Sequence, residues 1–340
     1  MSYRAVLLCL VFSVRLAVGA EPVERAPEGV ARELLEVYGQ KLTEVTYIPS
    51  LAVQGRWRMG ELTGDAKYRD DVRRLIAPYV KSPPKSSGDG QFAAHVLFAD
   101  IAADRNKSDS AELQAIVLRA VDQRLVTSPL PGDKAMSDAV FMVGPLLGEA
   151  YRLSGRDRYR QAAQEWFAAM VKLRMREDGL YQHGHLCDAA WGRGNGFPAV
   201  GVAWHLSRLG EDDAATKTAF TRHMAALVKH QDAEGMWHQV IDLPESYAEF
   251  SATSMIGFAL ERGITSGLLE KATYQPHADR AWQAICARIE PGGKLRGVCE
   301  STGTQPTLAA YLERKANHGI DARGGAMALL FATERLANEQ

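Results

Sequence analysis

The sequence predicts an all-α fold, and three observations lead to that prediction. From Pro27 onward, about a dozen segments place apolar residues at the three- and four-residue spacing of one helix face. The intervals between these segments lack the alternating pattern that a series of strands would show. Short motifs also recur at a nearly constant interval, as they do in proteins built from stacked helical units.

Good examples of the helical segments are 136–153, 158–173, 197–209, 215–228, 246–262 and 319–336, with Gly, Asp and Pro breakers between them. Asp178-Gly-Leu-Tyr recurs as Glu234-Gly-Met-Trp and more faintly as Gly292-Gly-Lys-Leu, at intervals of 56 and 58 residues. Gly155-Arg-Asp-Arg-Tyr recurs as Gly210-Glu-Asp-Asp at an interval of 55 residues. One period holds one helical hairpin, and the chain after residue 20 holds about six periods.

Six helical hairpins can close into an (α/α)6 toroid or stack as an open solenoid. In a toroid, one set of turns meets at one mouth, where the Gly-Leu-Tyr and Gly-Met-Trp tips would line a cavity. These tips are rich in aromatic and polar groups, as a lined pocket requires. The sequence therefore favours the toroid.

The size of the chain and its first residues define the domain. With 340 residues, 46% of them hydrophobic, the chain can bury a large core. Because no linker rich in Pro and Ser divides it, we expect residues 21–340 to form a single catalytic domain. Residues 1–20 carry Arg4, an apolar run from Ala5 to Val14 and a final Val-Gly-Ala, which predicts a signal peptide. The run is too short for a membrane span and Arg15 interrupts the apolar region, so we expect export to the periplasm or the medium.

Charge and cysteine content exclude several classes of function. The chain has 40 Lys and Arg against 41 Asp and Glu, and removing the two arginines of residues 1–20 leaves a net charge of −3. Because no basic tail or block is present, nucleic acid is not expected as a partner. Cys187, Cys286 and Cys299 lack the CxxC spacing of zinc or redox sites. The sequence is compatible both with a Cys286–Cys299 disulfide and with buried free thiols.

The densest group of functional side chains lies in two neighbouring motifs. Asp178-Gly-Leu-Tyr-Gln-His183 and Trp191-Gly-Arg-Gly-Asn-Gly-Phe197 place a histidine, an indole, a guanidinium and an amide on Gly-rich turns. The glycines permit close approach of the backbone to a ligand. No strand precedes them, so they are not a dinucleotide-binding signature. The set suits a polar, acidic ligand.

Together with Asp138-Ala-Val-Phe-Met and the run from Trp237 to Tyr247, these motifs resemble the unsaturated rhamnogalacturonyl hydrolases of glycoside hydrolase family 105 in order and spacing. The unsaturated glucuronyl hydrolases of family 88 are more distantly similar. The resemblance extends from Tyr47 to His318. It implies an (α/α)6 toroid that needs no metal or organic cofactor.

The resemblance also implies a substrate and a reaction. The partner is an acidic oligosaccharide left by a polysaccharide lyase, whose terminal 4-deoxy uronate carries a C4=C5 double bond. Such enzymes deliver a proton to C4, and water attacks C5. The resulting hemiketal then opens and expels the rest of the oligosaccharide.

Two aspartates are candidates for this chemistry. Asp138 matches the catalytic aspartate of the family, which acts as a general acid toward carbon and then as a base toward water. A donor to carbon must be protonated, so we expect it in a partly dry site. The alternative is a helix N-cap or an acid in the first helical turn, for which Ser137 and Asp138 are both suited. Asp89 matches the second, substrate-binding aspartate more loosely, and a helix cap is its equal alternative.

Arg193 and His183 suit the carboxylate and the ring hydroxyls of the uronate. A guanidinium pairs bidentately with a carboxylate, which would fix the sugar ring over the acid. The alternative for Arg193 is an ion pair with Asp188 or Glu177 across the tip.

The other predicted substrate-binding residues are two tryptophans and two polar residues. Trp191 and Trp237 are placed on turns where they can stack on sugar faces, although tryptophans at helical spacing are more often core. Asn195 lies in the Gly-rich motif, and His238 follows the second tip.

The favoured function is therefore an exported hydrolase that removes an unsaturated uronate from lyase-generated oligosaccharides. Two alternatives stay open: a non-catalytic toroid that binds acidic oligosaccharides, and another (α/α)6 glycosidase or a sugar epimerase. The motifs quoted above lack the adjacent Asp-Asp pair that would indicate a conventional glycosidase. Phe197 stands where family members commonly have Trp, and Ser137 and Ala139 stand where a second acid is frequent, which bears on subsite preference. The sequence does not determine the aglycone sugar or the oligomeric state.

Overall fold

In the computed structural model, residues 25–104, 109–209 and 213–340 are described, and the signal peptide predicted for residues 1–20 lies outside them. The helices in this part of the chain are α1 (Pro27–Leu35), α2 (Tyr47–Thr63), α3 (Ala66–Lys81), α4 (Asp89–Ala93), α5 (His95–Ala102), α6 (Ser110–Thr127), α7 (Ala139–Ser154), α8 (Asp157–Arg174), α9 (Gly192–Leu209), α10 (Ala214–Leu227), α11 (Phe250–Thr265), α12 (Lys271–Cys286), α13 (Leu308–Leu312) and α14 (Ala322–Asn338). A 3₁₀ turn, Val228–His230, follows α10. The described strands are β1 (Ile289–Glu290), β2 (Lys294–Cys299) and β3 (Ala316–Gly319).

Six of these helices form a closed inner ring. Helices α2, α5, α7, α9, α11 and α14 each pack against the next, and α14 packs against α2. An outer layer surrounds them, in which α3, α6, α8, α10 and α12 each pack on the inner helix that precedes them in the chain, and α1 packs on α14. The (α/α)6 toroid predicted from the repeats is confirmed, and the open solenoid is excluded.

The two layers differ in how much of each helix is buried. In the inner helix α9, every residue from Gly192 to Leu206 is buried, whereas the outer helix α3 buries only Val72 and Ile76. A helix that is apolar on all sides belongs inside a domain, and an amphipathic helix belongs at its surface. Small residues also bring the inner helices together, because a Cβ on Gly201 of α9 would lie 2.7 Å from the Cα of Phe141 in α7.

The repeated tips have the same backbone conformation. Gly179 and Gly235 have φ angles of 93° and 92°, in the left-handed region that favours glycine. Each glycine also packs against the outer helix of the following hairpin. A Cβ on Gly179 would lie 3.0 Å from the carbonyl oxygen of Arg222, and one on Gly235 would lie 2.4 Å from that of Arg280. Of the second motif, Gly155 ends α7 with a φ of 68°, and its counterpart Gly210 lies outside the described residues.

The Gly-rich motif after Trp191 is a helix and not a turn, which corrects the predicted start of α9 at residue 197. The amide of Asn195 already donates to the carbonyl of Trp191 at 3.0 Å. Glycines are used here because a side chain would collide with the neighbours: a Cβ on Gly192 would lie 2.9 Å from the carbonyl oxygen of His238, and one on Gly196 would lie 2.9 Å from the Cβ of Met255.

The sequence shows no convincing series of strands, but a small sheet is present near the C-terminus. Strands β1, β2 and β3 form an antiparallel sheet in that order. The third, faint repeat at Gly292-Gly293 is the turn between β1 and β2, so it joins two strands and not two helices. The sheet escaped prediction because β1 is two residues long and because a bulge between Arg296 and Val298 interrupts the alternation in β2.

Two further expectations concern cysteines and membranes. Cys187, Cys286 and Cys299 are free thiols, so Cys286 and Cys299 do not form a disulfide. Cys286 lies in the main core, whereas Cys299 belongs to a smaller apolar cluster around Trp191 and Tyr311.

Among the helices described, none is long and apolar enough to cross a membrane.

A buried histidine in the ring predicts a pH-dependent stability. His205 of α9 is buried against the ring of Phe167, and its burial lowers its pKa to about 4. The unfolded chain binds a proton on this residue below pH of about 6.5, whereas the folded protein does not. We expect the contribution of His205 to the free energy of unfolding to be constant above pH 6.5. Below that pH it should fall by up to about 1.4 kcal/mol per pH unit toward pH 4.

Urea unfolding at several pH values tests this expectation. The His205→Leu variant should lose stability less steeply with falling pH than the wild type, whatever its stability at pH 7. The exposed His318 provides a control, since His318→Leu should keep the wild-type slope. Equal slopes for the wild type and His205→Leu would contradict the argument.

Candidate active site

The N-termini of the inner helices meet at one end of the ring. An outer helix returns the chain after each inner helix, so the inner helices all run in the same direction. Tyr47 begins α2, Asp138 precedes α7 and Arg193 lies in the first turn of α9. The rings of Tyr47 and Phe197, from α2 and α9, are 5.7 Å apart across this end. The positive ends of the helix dipoles therefore face one mouth, where they favour a bound anion.

Asp138 is at this mouth and is not used as a helix cap. It occupies the N-cap position of α7, but its side chain makes no capping hydrogen bond. The side chain is 14% exposed, and its Oδ1 lies 3.5 Å from Nε2 of His183. Oδ1 is buried and accepts no hydrogen bond from any residue that the structure describes. A buried carboxylate oxygen without a partner is unusual in a folded protein and indicates a functional group.

His183 is held rigidly beside Asp138. Its side chain is fully buried, Nδ1 is hydrogen-bonded to the hydroxyl of Tyr311 at 2.7 Å, and its ring packs at 4.5 Å from that of Trp191. Its carbonyl accepts from the amide of Ser137 at 2.9 Å, which ties the tip to the residue before Asp138. The structure thus places His183 against Asp138, with only Nε2 left without a hydrogen-bond partner in the described part of the chain.

Arg193 is 3% exposed and donates to the backbone of the C-terminal sheet region. Its Nη1 donates to the carbonyl of Cys299 at 2.5 Å, and its Nη2 donates to that of Glu300 at 2.8 Å. The guanidinium also lies 4.5 Å from the ring centroid of Trp191. These bonds replace the ion pair with Asp188 or Glu177 that the sequence allowed. Arg193 therefore joins α9 to the end of β2, and its charge acts on the Tyr47 phenol at the mouth.

Three predicted binding residues make hydrogen bonds inside the protein, in or beside the tips. The amide of Asn195 is buried and donates to the carbonyls of Tyr181 and Trp191, at 2.9 and 3.1 Å. The indole of Trp237 is fully buried and donates to the carbonyl of Leu227 at 2.7 Å. His238 is bonded through Nδ1 to the carbonyl of Ser246 and through Nε2 to Asp232. These polar atoms are therefore already paired within the protein.

Trp191 also lies inside the protein. It is 2% exposed and is enclosed by the guanidinium of Arg193, the ring of His183 and the apolar cluster that contains Cys299 and Tyr311. Its faces are therefore covered by protein groups and are not open for a sugar to stack on. Trp191 supports His183 and Arg193 from the interior.

Asp89 is the first residue of α4, and Gly88 occupies the N-cap position before it. The Asp89 side chain is 40% exposed and pairs with Arg124 at 3.0 Å. Helix α4 packs against α7, and a Cβ on Gly90 would lie 3.1 Å from the ring of Tyr47. Asp89 is thus at the same end of the ring as Asp138, with its charge balanced by an arginine.

Two residues at the mouth were not found from the sequence. Burial raises the pKa of the Tyr47 phenol, and the charge of Asp138 adds to the rise. The charges of Arg193 and Arg323 lower it, which shows that all these groups lie close enough to interact. Arg323, in the first turn of α14, donates to Ser301 at 2.7 Å and to Asp321 at 2.8 Å, and its Nε has no described partner. Tyr47 and Arg323 each lie at the start of an inner helix, and this position could have indicated them from the sequence.

No group of three or more His, Cys, Asp or Glu side chains suited to a metal ion occurs among the residues described. Among the described residues, the buried atoms without a hydrogen-bond partner include three at the mouth: Asp138 Oδ1, His183 Nε2 and Arg323 Nε. Such a set can hold an anionic ligand and move a proton.

Comparison with known proteins identifies the family. The sequence profile of Glycosyl Hydrolase Family 88 matches residues 40–338. The chain belongs to glycosyl hydrolase family 88. The match confirms the resemblance that the linked motifs indicated.

Curated relatives of this family 88 chain include two enzymes. The unsaturated rhamnogalacturonyl hydrolase YesR of Bacillus subtilis (strain 168) is 26% identical over 223 residues, 61% of each protein. The unsaturated 3S-rhamnoglycuronyl hydrolase of Formosa agariphila is 25% identical over 194 residues, 51% of each protein. The chain thus aligns with about half to three-fifths of the length of these relatives.

Solved structures support the fold of the family 88 chain. A possible member of the GH105 family from Klebsiella pneumoniae has a TM-score of 0.84 at 21% identity and covers 98% of this chain and 100% of its own. The unsaturated glucuronyl hydrolase of Bacillus sp. GL1, described as responsible for the degradation of glycosaminoglycan, has a TM-score of 0.65 at 16% identity and covers 92% of this chain and 95% of its own.

The contacts of Arg193 predict a role in stability. Because its replacement leaves two buried carbonyls without a full set of donors, Arg193→Lys should lower the free energy of unfolding by about 1–3 kcal/mol. Urea denaturation measures the loss, and hydrogen exchange should become faster for the amides of 299–301. Arg296 of β2 is half exposed, so Arg296→Lys is the matched control and should change little. Equal stabilities of the two variants would rule out this role.

Proposed function

We propose that this family 88 chain hydrates the C4=C5 double bond of a terminal unsaturated uronate, with Asp138 as the proton donor. The observation that carries the proposal is the state of the Asp138 side chain. It stands at the mouth of the ring, makes no cap and leaves Oδ1 buried without a bond, 3.5 Å from His183. The helix therefore does not require this carboxyl group, and its side chain, which is 14% exposed, can meet a substrate.

The electrostatics of the mouth support an anionic sugar as substrate. The inner helices direct the positive ends of their dipoles there, and the charge of Arg193 and that of Arg323, which is paired with Asp321, both act on Tyr47. A carboxylate conjugated to the C4=C5 bond would be attracted to this end of the ring. We expect its binding to place C4 over Asp138.

The reaction consumes one water and returns Asp138 to its starting state. The protonated carboxyl gives its proton to C4, which leaves a positive, oxocarbenium-like centre at C5. Water adds to C5, and the Asp138 carboxylate takes the proton that this water loses. The C5 hemiketal then opens to a ketone as the ring oxygen takes a proton, and the hemiacetal at C1 collapses to release the remaining oligosaccharide with its hydroxyl restored.

The names of the relatives support this substrate class. One is an unsaturated rhamnogalacturonyl hydrolase and another an unsaturated 3S-rhamnoglycuronyl hydrolase. We propose that the aglycone belongs to the same range of lyase products, and a panel of unsaturated disaccharides will identify it. Export to the periplasm or the medium, predicted from residues 1–20, suits an enzyme that follows a polysaccharide lyase and stays a prediction.

Replacing the donor tests the proposal directly. Asp138→Asn should lower kcat by about 10²–10⁴-fold or more, because the amide cannot supply the proton. The rate is followed by the loss of ultraviolet absorbance of the conjugated double bond. In D₂O, the wild-type product should carry one solvent deuterium at C4.

The control is Asp157→Asn. Asp157 also stands at a helix start, but it belongs to the outer helix α8, where its side chain is 65% exposed. This variant should keep wild-type kcat. Near-wild-type turnover by Asp138→Asn would remove Asp138 from the mechanism. Binding of unsaturated disaccharides by the wild type without any turnover would favour the non-catalytic toroid instead.

A further inference from the structure

A continuous chain of polar contacts reaches Asp138 from the C-terminal part of the molecule. The amide of Gln305 donates to the hydroxyl of Tyr311 at 3.2 Å, and this hydroxyl is hydrogen-bonded to Nδ1 of His183 at 2.7 Å. Nε2 of His183 lies 3.5 Å from Oδ1 of Asp138. Both Tyr311 and His183 are fully buried, so bulk water does not compete for these contacts.

The donors in this chain can be assigned from the chemistry of the groups. A backbone amide can only donate, so the hydroxyl oxygen of Tyr311 is the acceptor of the bond from Gln305. The hydroxyl has one hydrogen of its own, and Nδ1 of His183 is the only acceptor that the described residues offer it. Leaving a buried hydroxyl hydrogen without an acceptor is unfavourable, so the hydrogen points to Nδ1.

This assignment decides the tautomer of His183. In a neutral imidazole one nitrogen accepts and the other carries the proton. If Nδ1 accepts from Tyr311, the proton is on Nε2, the nitrogen that faces Asp138. Burial raises the pKa of Tyr311 to about 12, the bond from Gln305 opposes the rise, and the charge of Asp138 adds to it. The phenol therefore keeps its hydrogen at neutral pH.

We propose that Tyr311 is a positioning residue of the site, which fixes His183 as the Nε2–H tautomer so that it donates toward Oδ1 of Asp138. This inference rests on the proposed function for its kinetic consequence. With Oδ1 engaged by His183, the proton for C4 is carried on Oδ2. The same Nε2–H stabilises the carboxylate that forms after the proton has left.

The segment that carries Tyr311 is anchored for this role. Helix α13 is capped by Thr307, whose hydroxyl accepts from the amide of Ala310 at 3.2 Å. The side chain of Gln239, next to the second tip, donates to the carbonyl of Tyr311. The ring of Tyr311 also meets that of His183 edge to face, with centroids 5.5 Å apart. Replacing Tyr311 by Phe would keep this packing and remove only the hydroxyl.

The ¹⁵N chemical shifts of His183 in the full chain, labelled at histidine and without substrate, report the tautomer directly. A His183→Asn variant assigns the signals. In the wild type we expect Nδ1 to be unprotonated and Nε2 protonated. In Tyr311→Phe we expect the two tautomers to mix. For the same variant we expect kcat to fall about tenfold to a hundredfold, with KM changed less than about twofold.

Tyr159→Phe is the matched control. Tyr159 is also a fully buried tyrosine, but its hydroxyl donates to Asp122 at 2.7 Å in the outer layer. It should leave both the tautomer and kcat unchanged. A wild-type His183 protonated on Nδ1 would overturn the assignment, as would a Tyr311→Phe variant with the wild-type tautomer and kcat. If the wild type turns over no unsaturated disaccharide, the proposed function fails, and the ¹⁵N shifts still decide the role of Tyr311.

Discussion

The packing of α14 against α2 is the contact on which the other features depend, because it closes the ring. In an open stack the inner helices would still be parallel, but their first turns would lie along an extended edge. Closure brings these turns around one mouth and makes the residues that precede and begin α2, α7, α9 and α14 neighbours.

The two ends of the ring carry different charged groups. At the helix C-termini, where the dipoles are negative, arginines are paired with buried acids. Arg208 lies 2.7 Å from Asp100, Arg152 donates to Glu149 at 2.6 Å, and Arg262 pairs with Glu334. Arginines near helix C-termini complement the dipoles, and their pairing with the acids satisfies that end. At the N-terminal end, Glu249 caps α11 and Asp321 caps α14, whereas Asp138 precedes α7 without capping it.

Polar atoms at the mouth are of two kinds: those that make hydrogen bonds within the protein, and those without a hydrogen-bond partner among the described residues. Arg193 and Asn195 donate hydrogen bonds to backbone carbonyls, and Asn195 also accepts one from a backbone amide. These bonds fix the first turn of α9 against the sheet and the first tip. Asp138 Oδ1 and His183 Nε2 face each other without an internal hydrogen bond of normal length. The function is assigned to the second group because buried polar atoms are rarely left unpaired.

The sequence could predict the ring, because the Gly-containing tips repeat with the period of one hairpin and their glycines have the same left-handed backbone. It could also bring Asp138 and His183 together, since they belong to linked motifs. It could not show that the glycine run after Trp191 is the start of a helix, because close packing and not local propensity permits helix there. Nor could it show that the side chains of Asn195 and Trp237 are hydrogen-bonded to backbone carbonyls. Residue types that bind sugars also make such hydrogen bonds within a protein, so their identity does not distinguish the two roles.

Tyr311 was beyond sequence reasoning for a different reason. It is separated from His183 by 128 residues and lies in a segment without a motif. The strands β2 and β3, which the sequence did not reveal, frame that segment. Long-range contacts made through irregular segments have no periodic pattern in the sequence.

The central claim is that Asp138 delivers a proton to carbon at the N-terminal mouth of the ring. A crystal structure of the Asp138→Asn protein with an unsaturated disaccharide tests it most directly. The account predicts that C4 of the uronate lies within about 3.5 Å of the residue 138 side chain, with the sugar carboxylate toward the helix N-termini. A disaccharide bound at the opposite end, or one whose C4 points away from residue 138, would contradict it.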